Sequence, residues 1–313
     1  MSELRKRPPC GAAAGSSVDV LVSAIARAAE PAPKLRCNLR AEEVPEWLHF
    51  PYILGGYRLG GTYWSCAHSL FILHNECLNA WTMILGALLS TAAFVFTVSY
   101  FSVSGLDISA FILYWSSLIV HLPFSVGYHL FLPISAGVYN VWRRLDMSFV
   151  LVMPVPLTYA MSYFVYERLW DTILATALVA IASGMGIYTV YSSVMEGMKL
   201  ERGNVTRWVG LTAIGYYFPI LYQAVLDGQR GVFSVPFVAS LVVPASLVGG
   251  ACLYELHLPE RFFPGKLDLV GNSHMWMHFG VIVAHLMGFC FVLHNYLART
   301  GQSFVGPVGG SDT

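Results

Sequence analysis

Long uninterrupted apolar runs, broken by short polar stretches, dominate the chain from residue 77 onward. Seven runs are long enough to cross a bilayer, which needs about 20 residues as a helix. They are expected near 77–101, 108–132, 145–165, 170–193, 206–228, 232–255 and 270–297. Prolines fall inside several of them (Pro123, Pro154, Pro156, Pro219, Pro236 and Pro244) and predict kinks, which membrane helices tolerate. The fold class expected is an all-α membrane protein, a seven-transmembrane helix bundle.

The sequence before the first run reads differently. Residues 1–40 are basic and rich in Ala, Pro and Gly, as in a disordered tail, with a possible short helix over Val18–Ala29. Residues 41–76 follow as an interfacial helix and turn. Glu42–Leu54 mixes acids with Trp47, Leu48, Phe50 and Tyr52, as a helix lying on a membrane surface would. Gly55-Gly-Tyr-Arg58 then makes a turn. The seven-helix domain is assigned to 77–297 and a C-terminal tail to 298–313.

Composition agrees with this pattern. The 313 residues are 56% hydrophobic and 12% charged, about half the charge of a globular domain, and mean hydropathy is +0.59. The formal net charge is zero, which leaves no case for nucleic-acid binding. The six cysteines form neither a CxxC pair nor a disulfide framework. There is no signal-peptide core behind Arg5-Lys6-Arg7.

Lys and Arg set the expected orientation. The tail, with Arg58, shares one side with Arg143 and Arg144, with Lys199, Arg202 and Arg207, and with Arg261 and Lys266. The other side holds Arg168, Arg230 and Arg299. The N-terminus is therefore expected in the cytoplasm and the C-terminus in the extracellular or lumenal space. The sequon Asn204-Val-Thr206 would then stay unglycosylated.

Span parity brings distant polar residues to one depth. Ser125 and His129 lie near the cytoplasmic end of the second run, Asp146 opens the third, and His274 and His278 open the seventh. His274 and His278 are four apart, so they share a helical face. Three imidazoles with one open position form the ligand set of a catalytic zinc site. Zinc lowers the pKa of water to about 7 and polarises carbonyls. Asp146 is placed to orient that water and carry its proton, and the Ser125 hydroxyl stands one turn from His129. Such a centre suits hydrolysis of a lipid amide or ester. The alternative is a structural metal that cross-links the helices. His121 and His285 read as helix contacts or cavity liners, and Glu76 and Asn79 as residues that cap or lock the first run. Glu255 and Glu260 read as interfacial, and His68, His74 and His294 as solvated or capping.

Four ordered motifs then carry a resemblance. They are Pro45-Glu-Trp-Leu with Gly-Tyr-Arg58, Ser69-Leu-Phe-Ile-Leu-His-Asn-Glu76-Cys-Leu-Asn79-Ala-Trp-Thr82, Ser125-x-x-x-His129 with Asp146, and the run from Pro259 through Lys266 to Ser273-His274-x-x-x-His278. Across residues 42–297 the chain resembles the progestin and adipoQ receptor family. The resemblance implies seven helices with the N-terminus inside, and zinc held by His129, His274 and His278, with Asp146 and Ser125 close by. It also implies ceramidase-like hydrolysis and signalling through lipid products. Partners implied are a membrane lipid (ceramide or a steroid-like ligand), an extracellular protein or steroid ligand, and a cytoplasmic signalling partner, with residence in the plasma membrane or Golgi/ER. Cys77 and Met83 depart from the family pattern and leave the subfamily open. A non-catalytic receptor or Golgi scaffold with structural zinc is the alternative, and a metal-homeostasis or ion-path role is a third; the scarcity of acids within the spans argues against a transporter.

Overall fold

A computed structural model describes residues 34–192 and 202–303, with side chains of the later stretch from 205 onward. The Val18–Ala29 segment, Lys199, the Asn204 side chain and most of the C-terminal tail lie outside the described residues.

Among the described residues seven helices are long and apolar enough to cross a membrane: Cys77–Tyr100, Asp107–Phe131, Ala136–Tyr163, Leu169–Ser192, Val205–Gln229, Val235–Leu256 and Ser273–Thr300. Their outer faces carry exposed Leu88, Ile173, Leu178, Ile181 and Leu241, as lipid contact requires. This is an integral, multi-pass membrane protein.

The third span starts earlier than its apolar run. Ser135 caps it by accepting a hydrogen bond from the Val138 backbone N–H at 3.2 Å, so Arg143 and Arg144 lie within its first turns rather than in a loop before it. Asp146, expected to open the span, is roughly 15 Å along it at 1.5 Å per residue. The span is built from Ala136–Val152 and Pro154–Tyr163, because Pro154 cannot donate to the helical ladder. Pro123, Pro219 and Pro244 lie inside continuous helices. Pro236 falls in the first turn of the sixth span, where no partner for its nitrogen is needed.

A short helix precedes the first span, at Tyr63–His68. Residues 42–54 are not helical throughout. They form two 3-10 turns, Ala41–Glu43 and Glu46–Leu48, separated by Pro45, whose preceding residue is pushed out of helical geometry. Around them strand β1 (Arg36–Leu39) pairs antiparallel with β2 (Tyr57–Leu59), Arg36 opposite Leu59 and Leu39 opposite Tyr57. β1 thus overlaps the end of the tail expected over 1–40. This hairpin has its own small core of Leu39, Val44, Leu48, Ile53 and Tyr57, closed by Leu132 from the end of the second span. The Tyr57 hydroxyl ties the connection together, accepting from the Phe50 N–H at 3.0 Å and donating to the Ile53 carbonyl at 3.0 Å.

Small residues let helices approach. A Cβ at Gly280 of the seventh span would meet the Ser246 carbonyl oxygen of the sixth at 2.5 Å, and one at Gly127 would meet the Trp142 ring at 2.0 Å. An aromatic core of Phe111, Tyr114, Phe289 and Tyr296 fills the bundle further from the hairpin. Antiparallel alternation brings the start of the first span, the end of the second and the starts of the third and seventh to one end of the bundle. That end carries the candidate site.

Candidate metal centre

His129, His274 and His278 converge. Each offers one ring nitrogen, and these atoms lie within 4.8 Å of one another. The ring centroids form a near-equilateral triangle with sides of 5.0, 5.2 and 4.9 Å. His129 and His278 are buried and His274 is half-buried, so the cluster opens toward His274, whose ring packs on Tyr254 at 4.9 Å.

Local structure explains the placement of each. His274 and His278 lie in the first turns of the seventh span, which Asn272 caps by accepting from the Met275 N–H at 3.0 Å. Glu260 reinforces that cap: its carboxylate accepts from the Ser273 N–H at 2.8 Å and from the Ser273 hydroxyl. A negative charge at a helix N-terminus is favourable. Glu260, read from the sequence as interfacial, is buried.

His129 lies in the last turn of the second span and is gripped at both ends. Its Nδ1 lies 2.6 Å from Glu76 Oε2. An ionised carboxylate only accepts, so Nδ1 carries the proton and Nε2 presents its lone pair. Glu76 also accepts from Asn79 Nδ2 at 3.0 Å. Burial alone would raise the Glu76 carboxyl; the His129 hydrogen bond and neighbouring positive charge outweigh it and hold the group below its ordinary range. At the other end the Arg58 guanidinium donates to the His129 carbonyl at 2.7 Å and the Leu130 carbonyl at 3.2 Å. Arg58 is 2% exposed. Burial pushes it down to about 10, which leaves it cationic at neutral pH. Two opposite charges therefore flank one imidazole inside the fold.

The donor set fits a metal. His129 Nε2 and His278 Nδ1 are buried with no hydrogen-bond partner, a condition that costs about 1–3 kcal/mol for each polar group. Three imidazole nitrogens without a thiolate suit a borderline cation such as zinc. The His129–Glu76 pair is the carboxylate–histidine arrangement that orients a metal ligand. Among the described residues the cluster contains three ligands and no fourth.

Asp146 is not part of that cluster. Its Oδ1 lies 2.9 Å from His121 Nε2, a contact between the second and third spans. The earlier start of the third span explains this: it carries Asp146 to the depth of His121, two turns from His129. The side chain keeps 16% of its surface exposed. Ser125 is buried one turn before His129. His285, two turns beyond His278, bonds Ser90 at 2.9 Å. His74 is also internal: its Nδ1 accepts from the Glu76 N–H at 3.1 Å, and burial, then the Arg58 charge, push it down to about 3. An open cavity of about 610 Å³ lined by Tyr166, Arg168, Tyr222 and Arg230 lies at the opposite end of the bundle, remote from the histidines.

Span parity along the chain brings the three histidines together. From sequence Glu76 reads only as a lock on the first run, and Arg58 as one of the charges that set orientation.

Fold and site together define an integral membrane protein with seven membrane-crossing helices among the described residues and three histidines clustered at one end. The chain belongs to the haemolysin-III-related family, whose model matches residues 71–289. It is 29% identical over 281 residues to membrane progestin receptor beta of Sus scrofa, covering 85% of this chain and 78% of that protein. It is 27% identical over 261 residues to the adiponectin receptor protein of Drosophila melanogaster, covering 78% and 56%. It is 25% identical over 277 residues to progestin and adipoQ receptor-like protein 1 of Caenorhabditis elegans, covering 84% and 62%. The chain thus spans only 56% and 62% of the last two relatives' length. The resemblance read from the four motifs holds: this is a member of the seven-helix receptor group of adiponectin and progestin receptor type.

Proposed function

We propose that the chain is a zinc-containing receptor that hydrolyses a lipid amide of ceramide type in the leaflet at the histidine end, which the Lys/Arg distribution assigns to the cytoplasm. His129, His274 and His278 hold the zinc. Zinc bound there supplies Lewis acidity toward a carbonyl and acidifies water. Glu76 fixes the His129 ring and tautomer. Asp146 acts as general base and returns its proton to the leaving amine, with His121 holding the carboxylate. Ser125 offers a hydroxyl to the substrate oxygen. A steroid-like or protein ligand at the opposite face would bias helix packing, and a partner on the cytoplasmic side would read the outcome. The plasma membrane or Golgi/ER is the proposed residence.

The observation that carries this reading is the cluster of three ligands with no fourth among the described residues, since structural zinc sites are usually closed by one. A second reading, a non-catalytic receptor or scaffold with structural zinc, draws support from the Asp146–His121 bond, which commits one carboxylate oxygen to holding two helices together. The test is metal content and ceramide turnover on one detergent-purified sample, wild type beside Asp146→Ala. About one zinc per chain, with turnover that the variant loses, supports the hydrolase. One zinc with no turnover of any lipid amide or ester favours the scaffold. A metal-free protein removes both.

A further inference from the structure

The hairpin before the first span touches three pieces of chain that support the histidine cluster. At the exit of the second span, Arg58 donates to the carbonyls of His129 and Leu130, and the Gly60 N–H donates to the Pro133 carbonyl at 2.8 Å. At the entry to the first span, which Glu76 precedes, the Asn75 N–H donates to the Gly56 carbonyl at 3.0 Å. In the loop that leads to His274 and His278, Asp268 Oδ1 accepts from the Leu54 N–H at 3.2 Å, and the Gly265 N–H donates to the Tyr52 carbonyl at 3.2 Å. Gly56 has φ 75, and a Cβ there would meet Leu269 of that loop at 2.5 Å. The three pieces are far apart in sequence. The hairpin is the body they share.

Arg58 is the centre of this brace. The last carbonyls of a helix have no partner within it and attract a cation. One carbonyl that Arg58 satisfies belongs to His129 itself. Its guanidinium also reaches the Ser69 hydroxyl, so three acceptors in different directions are served by one planar fork. A lysine ammonium lacks that geometry.

We infer that Arg58 positions His129, and that docking of the 36–60 hairpin and metal binding by the histidines are coupled through it. This rests on the metal reading given above. Whatever loosens the hairpin then weakens the metal site, and by reciprocity metal tightens the hairpin by the same factor. The hairpin becomes the handle by which an event outside the bilayer reaches the centre.

The experiment uses the full chain in detergent, with Zn²⁺ alone as probe. Amide hydrogen exchange over residues 36–60 is followed with and without Zn²⁺, and zinc affinity is measured by chelator competition. In the wild type, Zn²⁺ should slow exchange of the hairpin amides. Arg58→Gln should lower zinc affinity about 10–100-fold, the usual effect of removing a group that orients a ligand, and abolish the metal-induced protection; Arg58→Lys should restore part of both. Asp268→Ala, which removes the acceptor for the Leu54 N–H and touches neither Arg58 nor the histidines, should weaken the coupling on its own and serves if the Arg58 variants do not fold. Wild type that binds zinc with no change in hairpin exchange overturns the inference and leaves the metal site standing. So does a folded Arg58→Gln with unchanged affinity. Wild type that binds no zinc removes the metal reading and this coupling with it.

Discussion

Glu76 Oε2 and His129 Nδ1 lie 2.6 Å apart, both side chains almost wholly buried, joining the entry of the first span to the exit of the second. The bond sets which nitrogen of His129 is bare and which way it points. Removing it should release the ring rather than the fold. Glu76→Ala is expected to lower zinc affinity about 10–100-fold, read by chelator competition, with the helical circular-dichroism signal unchanged. In the wild type, zinc at 100 times its Kd should add about 2.7 kcal/mol of stability, a gain absent from His274→Ala.

The His121–Asp146 contact should behave as a hydrogen-bonded pair between two spans. Breaking it from one side leaves a polar group unsatisfied, at about 1–3 kcal/mol. His121→Leu and Asp146→Leu should each lower the thermal midpoint strongly, whereas the double variant should recover most of the loss. A double variant no better than the sum of the singles would show that the two residues do not act on each other.

Helix approach at Gly280 leaves no room for a methyl group, because the obstacle is the backbone oxygen of Ser246 at 2.5 Å. Gly280→Ala should destabilise by about 1–3 kcal/mol. Gly184, where an added Cβ meets nothing within 4 Å, provides the control, and Gly184→Ala should be neutral or better. Thermal unfolding of both variants in one detergent checks the contrast.

The cap of the seventh span bears on the site because His274 lies in its first turn. Asn272→Ala removes an acceptor from the Met275 N–H and should cost about 1 kcal/mol. Local fraying should also speed amide exchange at 273–278 and lower zinc affinity by several fold. Exchange confined to other segments would argue against the cap.

His74 gives a pH dependence of defined sign. Its folded value is pushed down to about 3 from the ordinary 6.5. Between these values the unfolded chain holds a proton that the folded chain lacks, so stability falls as pH falls. The contribution is complete above 6.5 and shrinks at up to about 1.4 kcal/mol per pH unit below it. His74→Asn keeps an acceptor for the Glu76 N–H and should flatten the slope of unfolding stability between pH 6.5 and 4. An unchanged slope would assign it to other groups.

Much of this molecule was legible in the chain because the bilayer is a strict solvent. A lipid-facing segment must satisfy its own backbone and show apolar side chains, so apolar runs alone gave seven helices and their order. Antiparallel alternation then brought His129, His274 and His278 to one end without reference to any contact. Boundaries were less legible where helix and membrane part company. Ser135 starts the third helix in polar sequence, so the apolar run at 145 begins well inside the helix, and Asp146 lies within it rather than at its opening.

Packing settled the residues whose environment is made by distant chain. Arg58 looked like a solvated charge because a tally of Lys and Arg sees no burial; three acceptors from two separate segments make it internal. Glu76 and Glu260 likewise became a ring-orienting group and a helix cap only once His129 and Ser273 reached them. The 36–60 hairpin, short and mixed in polarity, carries no periodicity strong enough to announce itself, and its core is closed by Leu132 from distant chain. The spans, and which histidines can meet, follow from the chain alone, because hydropathy and parity act along one dimension. The structure decided what surrounds those histidines, because hydrogen-bond partners are chosen in three.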